Sequence, residues 1–187
     1  MRTTHALPCL AALVLSQVAC ATGRLPNTDV PDTAENRSVI AFCERYRHAV
    51  ERRDARSLLE MASRDYYEDS GTPTGEDDYG YDGLGRLLTA WADEVREVRY
   101  EIRYRRVTVS SENPDRVYVD YTFTGSYTLT RPESLRTPAR AGASGLSIDP
   151  VRGTAEHRDD EVWYRRVADN RLELVRDGDN FKILAGM

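Results

Sequence analysis

Residues 36–71 read NRSVIAFCERYRHAVERRDARSLLEMASRDYYEDSG, and they carry two helical patterns with a break between them. In the first pattern, apolar residues recur at the i, i+3, i+4, i+7 spacing of one buried helix face. These residues are Val39, Ile40, Phe42, Cys43, Tyr46, Ala49 and Val50. Arg53 and Asp54 interrupt the pattern, and Asp54 can cap a second, shorter helix over residues 55–63. The segment therefore predicts a long helix and a short helix joined by a tight turn.

Two further signals place helix ends around this pair. Asp32 and Glu35 have the three-residue spacing of a capping box, so the first helix is expected to begin at Asp32 or Thr33. Residues 70–83 are rich in Gly, Asp and Tyr and indicate a loop. After that loop, one apolar stripe predicts a third helix over residues 83–95. The stripe comprises Leu84, Leu87, Leu88, Trp91 and Val95.

The apolar period changes to two after the third helix, which is typical of strands with one buried face. Strands are expected over residues 98–104, 117–129, 162–175 and 180–186, with a bulge at Asp169-Asn170. Three helices followed by a run of antiparallel strands indicate an α+β domain whose helices pack on one face of a sheet.

Composition limits the function classes. The chain has 187 residues, 40% of them hydrophobic, which fits one folded domain with flanking segments. Its formal net charge is -5, and a net acidic chain offers no electrostatic footprint for nucleic acid. Residues 131–158 contain several Pro, Gly, Ala and Ser and no apolar period, so they predict a flexible insertion within the domain. Such an insertion is either disordered or covers another surface.

The N-terminus reads MRTTHALPCLAALVLSQVACATG and is typical of a targeting segment. Its apolar stretch is short for a bilayer span. The ending at Cys20 resembles a bacterial lipoprotein signal, although Gln17 stands where that family prefers leucine. The resemblance implies that the signal peptide is residues 1–19, that Cys20 carries acyl chains such as palmitate, and that the protein is anchored in the cell envelope. By analogy, the anchor is in the outer membrane and the domain faces the periplasm.

An ordinary secretory signal is the alternative, with cleavage near Ala19 or Ala21 and with Cys20 incidental. In either case residues 20–32, which contain two prolines and no periodicity, predict a tether. The domain itself then occupies residues 33–187.

Cysteine and histidine are sparse after the signal. Cys9 lies inside it and Cys20 at its end, so Cys43 alone remains for the domain and no internal disulfide is expected. Cys43 lies on the apolar face of the first helix, which predicts a buried, unreactive thiol. His48 and His157 lack a cysteine pair, and the acidic loop before the third helix lacks the spacing of a calcium loop. We therefore expect no metal and no cofactor.

Several of these features resemble the nuclear transport factor 2-like superfamily, which includes ketosteroid isomerase and polyketide-cyclase-like enzymes. They are the helix pair joined by Arg53-Asp54-Ala55, the acidic exit Glu68-Asp69, the loop into a third helix and the ending RDGDNFKILAGM. The resemblance covers residues 36–187 apart from the insertion. It implies a cystatin-like cone, in which three N-terminal helices and a curved antiparallel sheet enclose a pocket.

The resemblance also implies a catalytic pair. Ketosteroid isomerase uses a tyrosine on its first helix as oxyanion donor, an aspartate after the second helix as base, and a second, protonated acid. Tyr46 matches the tyrosine, and Asp69 matches the base if one residue is deleted near Arg64. The position of the second acid falls near Leu172, which is apolar, and Glu173 points the other way. The alternative is that Tyr46 belongs to the core and Asp69 caps the following turn.

Two functions therefore remain open. The first is a non-catalytic domain that binds a small apolar molecule or a protein partner at the membrane. Its pocket is expected to be lined by Tyr66, Trp91, Tyr121, Phe123 and Trp163. The second is an acid–base enzyme that uses Asp69 and Tyr46 on a carbonyl compound. The missing acid favours the first. A homodimer through the outer face of the sheet is also left open, although that face carries Arg99, Glu101, Arg103 and Arg105.

Overall fold

The structure is a computed structural model, and it describes residues 23–130, 157–158 and 161–187. The signal segment, Cys20 and most of the 131–158 insertion lie outside the described residues, so the expectations for them stay predictions. Within the described part, the chain forms three α-helices and a curved antiparallel sheet, which is the α+β arrangement expected. None of the described helices is long and apolar enough to cross a membrane.

The helices are α1 (Ala34–Glu51), α2 (Ala55–Met61) and α3 (Tyr81–Glu94). Thr33 is the N-cap of α1, and its hydroxyl oxygen accepts a hydrogen bond from the Asn36 amide at 3.1 Å. The capping box expected from Asp32 is therefore wrong. Asp32 instead forms an ion pair with Arg37 at 2.5 Å, which leaves the capping position to the next residue.

The tight turn between α1 and α2 is confirmed. Arg53 adopts a positive φ of 54°, which reverses the chain direction within two residues. Asp54 then caps α2, because its two carboxylate oxygens accept hydrogen bonds from the Ser57 amide at 3.0 Å and the Ser57 hydroxyl at 2.6 Å. The Arg53 side chain donates to the carbonyl of Val95 at 2.5 Å and so ties the turn to the sheet.

The strands are β1 (Tyr67–Glu68), β2 (Tyr79–Gly80), β3 (Val95–Val109), β4 (Arg116–Thr130), β5 (His157–Arg158), β6 (Glu161–Asp177) and β7 (Asn180–Ala185). β1 and β2 pair with each other and form a small separate sheet. In the main sheet β3 pairs with β4, and β4 pairs with β6. Both β5 and β7 pair with the other edge of β6, and every pairing in the sheet is antiparallel.

The bulge expected at Asp169-Asn170 is wrong. The β4–β6 register runs without interruption, with Tyr121 opposite Asn170 and Thr122 opposite Asp169. A bulge was expected because two polar residues interrupt an apolar strand. The structure instead leaves Asn170 in register, since its amide finds buried partners on the same face. Irregular register occurs in the β3–β4 and β6–β7 pairings.

The segment expected to be a tether is part of the fold from Gly23 onward. Arg24 and Pro31 form a β-bridge, and the Asp29 amide donates to the carbonyl of Tyr104 at 3.0 Å. Val30 is fully buried, so this stretch contributes an apolar side chain to the core. A single buried valine has no period, so no periodic pattern predicts this contact.

One face of the sheet, here called the inner face, packs against the helices and forms the core. α1 packs mainly on β3, and α2 packs on α1 and α3. The buried residues of the inner face include Val98, Tyr100, Tyr104, Val117, Val119, Tyr121, Phe123, Leu172 and Leu174. They meet Val39, Phe42, Cys43 and Tyr46 from α1. Cys43 is buried, as predicted, and its burial raises the pKa of the thiol.

Candidate functional site

Tyr46 lies inside the core. It is 5% exposed, and its ring meets that of Tyr100 edge-on, with 6.5 Å between the centroids. The Tyr46 hydroxyl acts on that of Tyr100, whose pKa it lowers against a larger increase from burial. Burial raises the pKa of Tyr46 well above its usual value, so the phenol stays neutral. Tyr46 is thus a core residue with a satisfied hydroxyl, the alternative that the sequence left open.

Asp69 lies on the surface. Its side chain is exposed, and one carboxylate oxygen accepts a hydrogen bond from the Gly71 amide at 2.8 Å. The carboxylate therefore caps the turn at Ser70-Gly71, and the structure does not bring it into the buried cluster around Tyr46. A general base must lie within hydrogen-bond reach of the proton that it removes, and a carboxylate on this exposed turn does not face the core.

The half-buried acid next to Asp69 is Glu68, which the sequence analysis did not select. One Glu68 carboxylate oxygen accepts hydrogen bonds from the Tyr66 hydroxyl and from the Gly186 amide, both at 2.7 Å. The Met187 amide donates to the Tyr66 hydroxyl at 3.3 Å. These bonds hold the C-terminal end against the segment that follows α2, so the role of the Glu68 carboxylate is structural.

The position expected for a second acid is apolar in the structure as well. Leu172 is fully buried on the inner face. Glu173 points to the other face, where it forms an ion pair with Arg116 at 2.7 Å. No carboxylate from β6 therefore joins Tyr46 at this position.

A chain of polar groups crosses the core instead. The Asn170 side-chain amide donates to the Tyr121 hydroxyl and to the Gly186 carbonyl, both at 3.1 Å. The Tyr121 and Tyr46 side chains both act on Tyr100, whose pKa they lower against a larger increase from burial. Burial raises the pKa of Tyr121 and raises that of Tyr100 to about 12. At neutral pH this chain consists of uncharged hydroxyls that can donate hydrogen bonds.

Aromatic residues and one arginine form a patch on the inner face beside this chain. We call it the inner-face patch, and it consists of Tyr100, Phe123, Tyr127, Tyr164 and Arg166. Tyr127 and Tyr164 stack with 4.9 Å between centroids, and Tyr100 and Phe123 lie 5.3 Å apart. The patch grades from buried Tyr100 and Phe123 to exposed Arg166.

The β4–β6 register places Arg166 directly opposite Gly125. Tyr127 occupies the space above Gly125, because a Cβ there would come within 2.6 Å of three atoms of the Tyr127 side chain. The ring of Tyr127 therefore lies across the glycine. The Arg166 guanidinium lies 5.9 Å from the centroid of the Phe123 ring, within reach of a cation–π interaction.

The charge of Arg166 acts on the tyrosines of the patch. It lowers the pKa values of Tyr100, Tyr127 and Tyr164, against a larger increase from burial. Among the side chains that the structure describes, no carboxylate forms an ion pair with Arg166, whose recorded contact is the Phe123 ring. The inner-face patch therefore carries one positive charge next to several aromatic rings, and no described carboxylate compensates that charge.

The residues expected to line one pocket lie in different parts of the fold. Phe123 belongs to the inner-face patch, and Tyr121 lies deeper in the same core. Tyr66 is buried near the C-terminus and stacks on Tyr79, and Trp91 packs half-buried from α3. The expectation for Trp163 is wrong, because successive strand residues alternate faces and Tyr164 already points inward. Trp163 therefore lies on the outer face, opposite Thr128.

Arg166 and Asn170 were not among the predicted site residues, although the pattern of β6 marks both of them. Along β6 the inward positions are every second residue from Val162 to Leu174. Arg166 and Asn170 are the strongly polar members of that apolar series, and a polar residue at an inward position indicates a buried network or a ligand site. The bulge expected at Asp169-Asn170 obscured this pattern. A bulge shifts the alternation by one residue, so it would have placed Arg166 on the other face of the sheet.

The described residues contain no group of three or more His, Cys, Asp or Glu side chains that could hold a metal ion. In the acidic loop, Asp78 instead accepts hydrogen bonds from the Tyr67 hydroxyl at 2.6 Å and the Ser70 amide at 3.1 Å. The loop carboxylate thus stabilises the loop itself.

Neither protein-family profiles nor curated protein sequences match this chain. Solved structures do. A ketosteroid isomerase-like protein from Erwinia carotovora atroseptica is 15% identical, with a TM-score of 0.52 over 83% of this chain and 95% of its own. A scytalone dehydratase-like protein from Novosphingobium aromaticivorans is 10% identical, with a TM-score of 0.53 over 81% of this chain and 80% of its own.

The Kfla4162 protein from Kribbella flavida is a third similar structure. It is 15% identical, with a TM-score of 0.53 over 81% of this chain and 86% of its own. The structures that resemble this chain are nuclear transport factor 2-like proteins. Identities this low show a common fold and nothing about activity.

Proposed function

We propose that this domain binds a small apolar molecule carrying one acidic group, without catalysing a reaction on it. The single observation that carries the proposal is Arg166, an exposed cation at the edge of an aromatic inner face that has no carboxylate partner among the described side chains. In the cystatin-like cone that the fold resembles, this face is the inside of the cone. The apolar part of the ligand would lie against the rings of Tyr127 and Tyr164.

The chemistry of the inner-face patch selects for this ligand class. Aromatic rings favour flat apolar bodies, and a guanidinium binds a carboxylate through two parallel hydrogen bonds. The neutral hydroxyls beneath the patch add hydrogen-bond donors without adding charge. A cationic ligand is disfavoured, because Arg166 would repel it.

The same geometry argues against the acid–base alternative. A general base must reach the proton it removes, and Asp69 is hydrogen-bonded to the Gly71 amide at the surface. Glu68 is held by Tyr66 and Gly186. An enzyme that used Asp69 as its base would have to break this turn in each catalytic cycle. Because Asp69 lies outside the inner-face patch, Asp69→Asn is expected to leave ligand binding unchanged.

The test compares 2-naphthoate with its neutral counterpart, 2-naphthylmethanol, by isothermal titration. Naphthoate is expected to bind more tightly, and Arg166→Gln should weaken it about tenfold or more, since a hydrogen bond to a charged group contributes about 1.5–3 kcal/mol. Arg165→Gln is the matched control, because Arg165 is the exposed neighbour on the outer face. Equal losses in both variants, or equal affinity for the acid and the alcohol, would refute the proposal.

We further propose that the domain works at a membrane, anchored through Cys20 in the outer membrane and facing the periplasm. The support is the lipoprotein-like ending of the signal segment, and Cys20 lies outside the described residues. Mass spectrometry of the protein expressed with its signal should find acyl chains on Cys20, and Cys20→Ser should release the protein from the membrane fraction. An unmodified Cys20 in the mature protein would contradict the anchor.

A further inference from the structure

A second cleft, of about 490 Å³, lies where α1, α2 and β7 meet, and it contains no residue of the inner-face patch. We call it the basic cleft. Its polar rim carries Arg45 and His48 from α1, Arg52 from the C-cap of α1, Ser57 and Glu60 from α2, and Asn180 and Lys182 from β7. Its apolar floor consists of Phe42, Ala49, Met61 and Phe181.

Neutral oxygen atoms hold two of the three permanent cations in place. Arg45 donates to the Asn180 side-chain oxygen at 2.6 Å, and its guanidinium lies over the Phe42 ring. The Lys182 ammonium donates to the backbone carbonyl of Glu60 at 2.6 Å. These acceptors orient the cations and leave their charges uncompensated.

The carboxylates around the basic cleft have other partners. Glu60 forms its ion pair with Arg56 at 2.9 Å, outside the cleft. Asp54 uses both carboxylate oxygens on Ser57. The nearest approach of Asp54 to Arg52 is 3.8 Å, longer than a charge-assisted hydrogen bond.

The cleft rim therefore holds three permanent positive charges and one carboxylate, a formal excess of two. This excess occurs on a chain whose net charge is -5. A phosphate monoester carries a charge of about -1.5 to -2 near neutral pH and offers three acceptor oxygens. A carboxylate carries one charge and would leave part of the excess uncompensated.

We infer that the basic cleft binds the phosphoryl group of an amphiphilic ligand. Arg45, Arg52 and Lys182 contact the phosphoryl oxygens, and the apolar part of the ligand lies against the apolar floor of the cleft. The phosphoryl group is either that of a free phosphate ester or that of a lipid headgroup. The inference goes beyond the function proposed for the inner-face patch and does not depend on it.

The experiment titrates the protein with phenyl phosphate and with inorganic phosphate, and follows the backbone amide signals by NMR. The signals of Arg45, Arg52 and Lys182 should shift, and phenyl phosphate should bind about tenfold more tightly than inorganic phosphate, because part of its ring is buried on the floor. The double variant Arg52→Gln/Lys182→Gln should lose this binding. Arg99→Gln, on the exposed outer face of the sheet, should retain it.

A second arm uses vesicles of phosphatidylglycerol in a flotation assay with the same variants. Binding of phenyl phosphate that the double variant loses supports a free ester as the ligand. Loss of vesicle binding alone in the double variant supports a lipid headgroup. The inference is overturned if the double variant and Arg99→Gln behave alike in both arms, or if phosphate shifts the signals of arginines on all faces equally.

Discussion

Gly186 lies where the C-terminal end of the chain packs against β6. Replacing Gly186 should show how much this packing contributes to stability. The residue has a φ of +89°, and an added Cβ would lie 1.9 Å from the carbonyl oxygen of Arg171. The obstacle is backbone in the middle of a paired strand, so it cannot move aside. Gly186→Ala must therefore either strain the chain or release its last two residues.

The magnitude follows from what each outcome loses. An alanine held at positive φ costs about 1–2 kcal/mol before any clash is counted. Release of the end removes the bond from the Gly186 amide to Glu68 and the bond from Asn170 to the Gly186 carbonyl. Together these contribute about 2–4 kcal/mol, taking the usual values for one charged and one neutral hydrogen bond. The free energy of unfolding of Gly186→Ala should fall by that amount.

Gly178→Ala is the matched control. Gly178 also has a positive φ, +59°, in the turn between β6 and β7, but a Cβ there meets nothing within 4 Å. It should lose only the backbone term of about 1–2 kcal/mol. Urea unfolding measures both, and a loss of about 2 kcal/mol moves the midpoint by about 1 M for a slope near 2 kcal/mol per molar. If Gly186→Ala is no less stable than Gly178→Ala, the packing described here is incorrect.

Two further predictions concern the helix pair. Asp54→Ala should lower the free energy of unfolding by about 1 kcal/mol at pH 7, because it removes the α2 cap. Bonds from Ser57 and nearby arginines hold the pKa of Asp54 below its usual value, so this contribution is present above the unfolded-state pKa and declines as the pH falls through the folded-state pKa. Urea midpoints of the parent and the variant should therefore begin to converge as the pH falls below about 4, the usual Asp pKa, and a difference that stays constant at lower pH would contradict the capping role. Cys43 should react with a thiol reagent only on unfolding, since it is buried and burial raises its pKa. Mass spectrometry after labelling with and without urea checks this, and fast labelling of the native protein would show that α1 is packed otherwise.

The elements of the fold were predictable because each follows from local periodicity. The apolar face from Val39 to Val50, the cap at Asp54 and the alternation along β3 and β4 all appear in the structure where the sequence indicates them. The wrong predictions concern positions where the local structure depends on a single residue. Whether Asp32 or Thr33 caps α1 depends on which partners compete for each side chain, and spacing alone does not contain that information.

The candidate site was less predictable than the fold. Tyr46 was assigned its place on α1 correctly, but its role depends on the Tyr100 hydroxyl, which comes from a strand more than fifty residues later. Asp69 and Glu68 are adjacent in sequence, and only the position of Gly186 decides which of them faces inward. Trp163 shows how a register error of one residue transfers a side chain to the opposite face.

The packing of Val30 has a consequence for how freely the domain can move. The Gly23 carbonyl accepts a hydrogen bond from the Asp32 amide at 2.6 Å, so the chain is part of the fold from Gly23, and only three peptide units separate that residue from Cys20. Three residues span at most about 10 Å even when fully extended. If Cys20 is acylated, the segment that links it to the domain is shorter than the domain's radius of gyration, which is about 15 Å. An acylated protein would then stay within a few ångströms of the bilayer surface, and it would reach only ligands and partners that come to that surface.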